Sequence, residues 1–91
     1  MLQNRFITYL TSEKRFSEHT VKSYTTDLKQ FTSFLSDEFQ IIDAIDEIHF
    51  QIIRTWIASL LEKGISPRSV NRKISTLKSY FKFLIREEVI L

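Results

Sequence analysis

Glycine and proline each occur only once in this chain, as Gly64 and Pro67. A multi-stranded sheet needs several tight turns, which are usually built on glycine, proline, asparagine or aspartate. The shortage of turn residues therefore predicts an all-α fold of long helices joined by short connections. With 91 residues, 43% of them hydrophobic, the chain can bury one modest core, and we expect a single domain over residues 1–91.

Apolar residues recur three or four positions apart in four segments, and this period predicts four amphipathic helices. Most of the eight phenylalanines fall on the resulting apolar stripes, so we assign them to the core rather than to base stacking. The predicted stripes are Leu2, Phe6, Tyr9 and Leu10 in the first segment; Val21, Tyr24, Leu28, Phe31, Phe34 and Leu35 in the second; Ile53, Trp56, Ile57, Leu60 and Leu61 in the third; and Val70, Ile74, Leu77, Phe81 and Leu84 in the fourth, with Ile85 as a further candidate.

Two serines are predicted to begin helices. Ser17 can accept a hydrogen bond from a first-turn backbone amide, and Glu18 places a negative charge near the positive end of the same helix. Ser66 precedes Pro67, whose missing amide proton does no harm at the first helical position. The second and fourth helices should therefore start at these two points.

The third helix is predicted to run from about His49 or Phe50 to Lys63, and Gly64 supplies the left-handed residue that ends it. The connection before this helix is acidic, and its isoleucines alternate with aspartates. We expect these apolar side chains to pack beneath the connection: Ile41, Ile42 and Ile45.

The net charge of +2 is small, but the charges are unevenly distributed. All charged residues in 37–47 are acidic, whereas all charged residues in 66–86 are basic. A helix that carries a ladder of basic and small polar side chains can enter the major groove, neutralise phosphates and contact base edges. A basic face that is merely solvated gives the same pattern. The ladder of the fourth helix consists of Arg68, Arg72, Ser75, Lys78, Ser79 and Lys82.

Catalytic and metal-binding chemistry finds little support in the sequence. The chain has no cysteine, and His19 and His49 lack the close helical spacing of a metal-ligand pair. A single glycine cannot form a phosphate-binding loop, and no nucleophile, histidine and acid stand out as a triad. We interpret the acids Asp43 and Asp46 as solvated, and we expect no catalytic residue, no metal and no cofactor.

The sequence has no apolar stretch long enough to cross a bilayer, so we expect no membrane partner. The lack of cysteine removes any disulfide framework and favours an intracellular compartment, which we take to be the cytoplasm.

Two stretches resemble the core-binding domain of tyrosine recombinases, the phage-integrase family. Residues 64–84 are similar to the last helix of that domain, and together with residues 52–63 the resemblance covers nearly the whole chain. It is strongest to recombinases of the Xer type, and it implies an orthogonal four-helix bundle of the SAM-like class. The family pattern S-x-x-T-x-x-x-Y-x-x-D-L-x-x-F is matched by Ser17, Thr20, Tyr24, Asp27, Leu28 and Phe31.

The resemblance implies that the second and fourth helices face double-stranded DNA. In this family, the arginine, histidine and nucleophilic tyrosine of the active site belong to a separate C-terminal domain. We therefore interpret the 91 residues as the front piece of a longer recombinase, expected to work with that catalytic domain and as a homotetramer on DNA. The DNA contacts implied for this chain are Thr20, Lys22, Tyr24, Arg68, Ser69, Arg72, Ser75 and Lys78.

The chain departs from the family pattern after its last helix. Relatives often have glycine there, whereas this sequence has Glu87-Glu88. Two acids at this point are expected to weaken any DNA contact nearby, because they repel phosphates.

A rival function is that of a helical protein-interaction module. Such a module would present an exposed apolar strip, for which the third helix offers Phe50, Ile53 and Ile57. Its binding would be insensitive to moderate salt, unlike binding to DNA.

Overall fold

The structure is a computed structural model that describes residues 2–41 and 48–87, apart from the side chain of Leu2. Within these residues the chain forms four helices, which confirms the all-α, four-helix prediction. They are α1 (Leu2–Ser12), α2 (Glu18–Phe39), α3 (Phe50–Glu62) and α4 (Pro67–Arg86).

The predicted helix starts are confirmed. The Ser17 side chain accepts a hydrogen bond from the backbone N–H of Thr20 at 3.2 Å, and Ser66 accepts one from Ser69 at the same distance. Each bond satisfies an amide that has no partner inside its helix. Gly64, between α3 and α4, has a φ of +84°, so the left-handed turn predicted after α3 is also present.

The C-terminal end of α2 is formed without glycine. Gln40 takes a left-handed conformation with a φ of 55°, and its N–H donates to the carbonyl of Ser36 at 3.2 Å. The N–H of Ile41 donates to the carbonyl of Leu35 at 3.1 Å, so two carbonyl groups of the last helical turns have partners. This turn buries Ile41, as predicted, whereas Ile42 and Ile45 lie outside the described residues.

The core lies where the four helices meet. Phe6 of α1 packs against Tyr80 and Phe83 of α4, with ring centroids 5.1 and 5.4 Å apart. Phe31 of α2 packs against Trp56 of α3, with centroids 5.0 Å apart. Aromatic pairs at these distances contribute beyond the area that they bury, so the two clusters tie α1 to α4 and α2 to α3. The buried apolar residues are Phe6, Leu10, Leu28, Phe31, Leu35, Ile41, Ile52, Trp56, Leu60, Val70, Leu77, Tyr80, Phe83 and Leu84.

The predicted stripes of α3 and α4 need correction. In α3, Leu61 is 49% exposed, and Ile52 is buried instead. In α4, Ile85 is 52% exposed, and Ile74 and Phe81 are only half-buried. The reason for α4 is that it packs against α1 as well as against α2 and α3, so its buried arc is wider than one apolar stripe. The arc also takes in four residues that the stripe omitted: Lys73, Thr76, Tyr80 and Phe83.

Over the part of the chain that the structure describes, we find no helix whose length and hydropathy would let it span a membrane.

Candidate nucleic-acid interface

Five exposed side chains form a row along α4, three or four residues apart, and we call them the α4 row. Positions with this spacing lie on one helix face. Three members are basic, and within the described residues none of the three forms a salt bridge with an acid. Their charges are thus available to an external anion. The α4 row consists of Arg68, Asn71, Ser75, Lys78 and Lys82.

Three of the predicted DNA contacts belong to this row. Arg68, Ser75 and Lys78 are all exposed and share one face of α4. Ser69 lies on another face of the helix and is half-buried. Arg72 lies beside the row, but its guanidinium is already bound to an acid of α2.

The predicted contacts on α2 do not share one face. Lys22 is exposed, whereas Thr20 and Tyr24, four residues apart, lie on a half-buried face of the helix. The Tyr24 ring packs edge-on against Phe16, with centroids 5.8 Å apart. Lys22 is therefore the only exposed residue of these three, and it is also the only one that carries a charge.

The hydroxyl groups of Thr20 and Ser69 belong to the helix caps. Ser17 Oγ donates to Thr20 Oγ1 at 3.0 Å, and Ser66 Oγ donates to Ser69 Oγ at 3.2 Å. Each acceptor hydroxyl keeps its own proton for another acceptor. Both residues thus stand at helix N-termini, where backbone amides and the helix dipole favour an anion.

Asp27 joins α2 to α4 at the edge of the α4 row. Its side chain is fully buried, and its carboxylate accepts two hydrogen bonds from Arg72, from Nη2 at 2.9 Å and from Nε at 3.2 Å. The Arg72 side chain is 46% exposed, so it spans from the buried acid to the surface. Arg68 and Ser75 lie one helical turn to either side of it.

Two further side chains of α4 complete the shell of donors around Asp27. Lys73 Nζ donates to Oδ1 at 2.8 Å, and Thr76 Oγ1 donates to Oδ2 at 2.9 Å. Lys73 is itself buried, and its ammonium group also donates to Gln30 Oε1. Both oxygens of a fully buried carboxylate are therefore satisfied, and among the described residues no buried side-chain polar atom lacks a partner.

The electrostatics of this cluster keep Asp27 ionised. Burial by itself would raise the pKa of Asp27, because it disfavours the charged form. The hydrogen bonds from Arg72, Lys73 and Thr76, together with the charge of Lys73, outweigh burial and hold that pKa below its usual value. The hydrogen bonds to Asp27 likewise raise the pKa of Arg72.

Acid is expected to unfold the chain through Asp27. Because the folded pKa is lowered, the ionised carboxylate stabilises the fold above its unfolded pKa of about 3.9, and this stability is lost as the pH falls through the folded value. Urea unfolding across a pH series should show the free energy of unfolding dropping below about pH 4. The drop should be much smaller in Asp27→Asn. The drop should remain in Glu13→Gln, which removes an exposed acid. An unchanged drop in Asp27→Asn would refute the role of Asp27 in acid unfolding.

Three of the six basic residues in 66–86 are not free surface charges, which corrects the expectation of a uniformly basic helix. Lys73 is buried, and Arg72 is paired with Asp27. Arg86 binds Glu13 at 2.8 Å and lies over the Tyr9 ring. Within the described residues, the basic side chains of α4 that have no acidic partner are therefore those of the α4 row.

Glu87, one of the two acids at which the sequence departs from the family pattern after α4, has a structural role. Glu87 follows the last helical residue and binds Arg5 of α1 at 2.7 Å, so part of its negative charge is compensated. Glu88 lies outside the described residues.

Sequence reasoning missed the role of Asp27, although a signal was present. Asp27 lies three residues after Tyr24 and directly before Leu28, in the apolar stripe of α2, and Lys73 and Thr76 lie likewise among the apolar residues of α4. A charged residue at such a position is rarely buried without a partner. Opposite charges on the core faces of two helices therefore indicate a buried pair.

The described residues contain no group of three or more histidine, cysteine, aspartate or glutamate side chains that could hold a metal ion.

The family model and the relatives that match this chain indicate one and the same family. Residues 4–88 match the model of the phage integrase N-terminal SAM-like domain. The chain is 42% identical over 89 residues to the tyrosine recombinase XerC of Listeria innocua, covering 98% of this chain and 29% of that protein. It is 38% identical over 85 residues to tyrosine recombinase XerC of Bacillus subtilis, covering 93% of this chain and 27% of that protein. The chain thus spans less than a third of the length of these relatives, and no solved structure gives a significant match.

Proposed function

Because the chain belongs to the family of phage integrase N-terminal SAM-like domains, we propose that it is the DNA-binding domain of a tyrosine recombinase. The observation that carries the proposal is the α4 row, in which three basic side chains share one exposed face with two polar ones and form no salt bridge within the described residues. Such a face can neutralise successive phosphates of a duplex.

The residues of the α4 row divide into two chemical roles. Arg68, Lys78 and Lys82 would contact phosphates, which supply affinity and fix the orientation of the domain on the duplex. Asn71 and Ser75 carry short hydrogen-bonding side chains, which suit contacts with base edges in the major groove. Specificity would thus depend on fewer residues than affinity.

The first turns of α2 and of α4 would provide a second set of contacts. Lys22 adds a positive charge, and the capped N-termini at Thr20 and Ser69 add amide dipoles that attract phosphate. Tyr24, whose ring is held by Phe16, would contribute through its hydroxyl group.

The similarity to tyrosine recombinases supports a proposal for the role of the domain in a whole recombinase. We infer that it grips one side of the duplex while a C-terminal catalytic domain cleaves and rejoins the strands, and that subunits assemble as a homotetramer on DNA. The 91 residues would contribute affinity and orientation and no catalytic residue. We propose the cytoplasm as its location, because a recombinase works where its DNA substrate lies.

Salt dependence tests the proposal directly. The affinity of the chain for a fluorescently labelled, mixed-sequence duplex should fall linearly on logarithmic axes between about 50 and 200 mM salt, with a slope of about −3 to −5 for four or five phosphate contacts. The measurement is fluorescence anisotropy at several salt concentrations. Absent binding at the lowest salt concentration, or binding that ignores salt, would contradict the proposal.

A second candidate function is supported by α3. Phe50 is 71% exposed and Leu61 is 49% exposed, and Arg54 lies over the Phe50 ring at 5.7 Å. Ile53 and Ile57 are half-buried, so the strip predicted from the sequence is only partly exposed. This face suits contact with another protein, including another recombinase subunit, and such contact would persist in moderate salt.

A further inference from the structure

The pair formed by Asp27 and Arg72 places a buried acid directly behind a surface arginine. Asp27 is fully buried, whereas the Arg72 side chain is 46% exposed. A surface arginine normally samples many rotamers, and ordering it upon binding costs free energy. Here the side chain is already held at its guanidinium end by two hydrogen bonds.

The geometry of the two hydrogen bonds decides which N–H donors of Arg72 remain available to a ligand. A guanidinium group has five N–H donors in a fixed plane. Asp27 takes the Nε–H of Arg72 and one N–H of Nη2. In the described residues Nη1 makes no hydrogen bond, so both of its N–H groups and the second N–H of Nη2 remain. One N–H of Nη1 and the remaining N–H of Nη2 lie parallel at the end of the guanidinium group, which is the arrangement that binds two oxygens of one phosphate.

We propose that Asp27 is a positioning residue for Arg72, which it holds with this pair of parallel N–H donors directed outward as a ready-made phosphate ligand. The proposal rests on the proposed DNA-binding function and adds a specific phosphate contact to it. Arg72 stands between Arg68 and Ser75, one turn from each, so the phosphate would lie at the edge of the α4 row. Asp27 touches no DNA in this arrangement.

Coulomb's law and the positioning role predict opposite signs for Asp27→Asn. Removing a negative charge near a phosphate-binding face strengthens the attraction for DNA if charge alone matters. Releasing Arg72 from its fixed orientation weakens binding, because the side chain must then be ordered when DNA binds. The direction of the change in affinity therefore separates the two explanations.

The test is a double-mutant cycle of Asp27→Asn and Arg72→Ala, measured by anisotropy with a mixed-sequence duplex on chains shown by circular dichroism to be folded. Asp27→Asn should weaken binding about three- to tenfold when Arg72 is present, and should not weaken it in the Arg72→Ala background. Equal or tighter binding by Asp27→Asn alone, or the same loss in both backgrounds, would overturn the positioning role.

Thr76→Val is the matched structural control. It removes another hydrogen bond to the Asp27 carboxylate and keeps both side-chain donors of Arg72 that bind Asp27. This variant should lower the stability of the fold and keep the DNA affinity of the folded chain. A loss of affinity equal to that of Asp27→Asn would mean that any disturbance of the buried cluster weakens binding, and the positioning role would be rejected.

Arg72→Lys keeps the proposal testable if Asp27→Asn does not fold. Lysine retains the positive charge but cannot bind Asp27 and a phosphate through two parallel pairs of donors. Arg72→Lys should therefore lose nearly as much affinity as Arg72→Ala, and wild-type affinity would contradict the proposal. If the wild-type chain itself fails to bind the duplex, the proposed function fails; if the wild type binds and Asp27→Asn is not weaker, only the positioning role fails.

Discussion

Replacing Asp27 by alanine is expected to destabilise the fold by about 3–5 kcal/mol, because it leaves the buried ammonium group of Lys73 without its anionic partner. Thr76 also loses its acceptor on α2. Domains of this size are stable by about 5–15 kcal/mol, so the loss is a large share of the total. Urea unfolding followed by circular dichroism measures it.

A double variant distinguishes the cause of that loss. Asp27→Ala combined with Lys73→Met removes both buried charges and keeps the length of the α4 side chain, so it should be more stable than Asp27→Ala alone. Arg72 is half-exposed and can be solvated in either variant. An Asp27→Ala chain within about 1 kcal/mol of the wild type would contradict the role given to this cluster, since that range is typical of exposed ion pairs.

Reversing two charges of the α4 row is expected to have the largest effect on DNA binding. The variant Arg68→Glu with Lys78→Glu should bind a mixed-sequence duplex about 100-fold more weakly at low salt, and its salt slope should shrink by about 2. Both side chains are exposed, and neither forms a salt bridge within the described residues, so the fold should be retained. Arg68→Glu even places an acid in the first turn of α4, where it suits the helix dipole.

The control for this variant lies on α3. Arg54→Glu changes the net charge as much as either single reversal, at an exposed helical position away from the α4 row. It should reduce affinity by only a few-fold, because only long-range attraction is altered. If Arg54→Glu weakens binding as strongly as Lys78→Glu does, net charge rather than the α4 row governs the affinity.

Arg72 is a poor choice for charge reversal, although its sequence position suggests it. A glutamate at this position would stand beside the carboxylate of Asp27 and would disturb the buried cluster. Loss of DNA binding would then report unfolding as much as a lost contact. Arg68 and Lys78 avoid this ambiguity.

The features that the sequence predicted best are local. Ser17, Ser66 and Gly64 act within one helical turn of their own position, so their roles do not depend on the rest of the fold. The exposed face of α4 was also predictable, because periodicity separates solvent-facing positions from buried ones. The helix ends are confirmed at the positions expected. Of the ladder predicted on α4, Ser79 is half-buried, and the exposed members are Arg68, Arg72, Ser75, Lys78 and Lys82.

The features that escaped prediction depend on contacts between helices. The burial of Lys73 was not predicted, because it depends on Asp27, which lies 46 residues earlier on another helix. Ile85 was a further candidate for the apolar stripe and Ile52 was left out of it, because the periodicity of one helix does not show how many neighbours surround it. The pairing of Arg72 was missed for the same reason, although Asp27 belongs to the family pattern matched by α2.

We propose that the surface that binds DNA is formed by the α4 row and the first turns of α2. Titrating an isotope-labelled chain with a mixed-sequence duplex, and following the backbone amides by nuclear magnetic resonance, locates that surface directly. We expect the largest shifts on α4 around Arg68, Ser75 and Lys78 and on α2 around Lys22. Shifts centred on α3 between Phe50 and Leu61, with α4 unaffected, would contradict it.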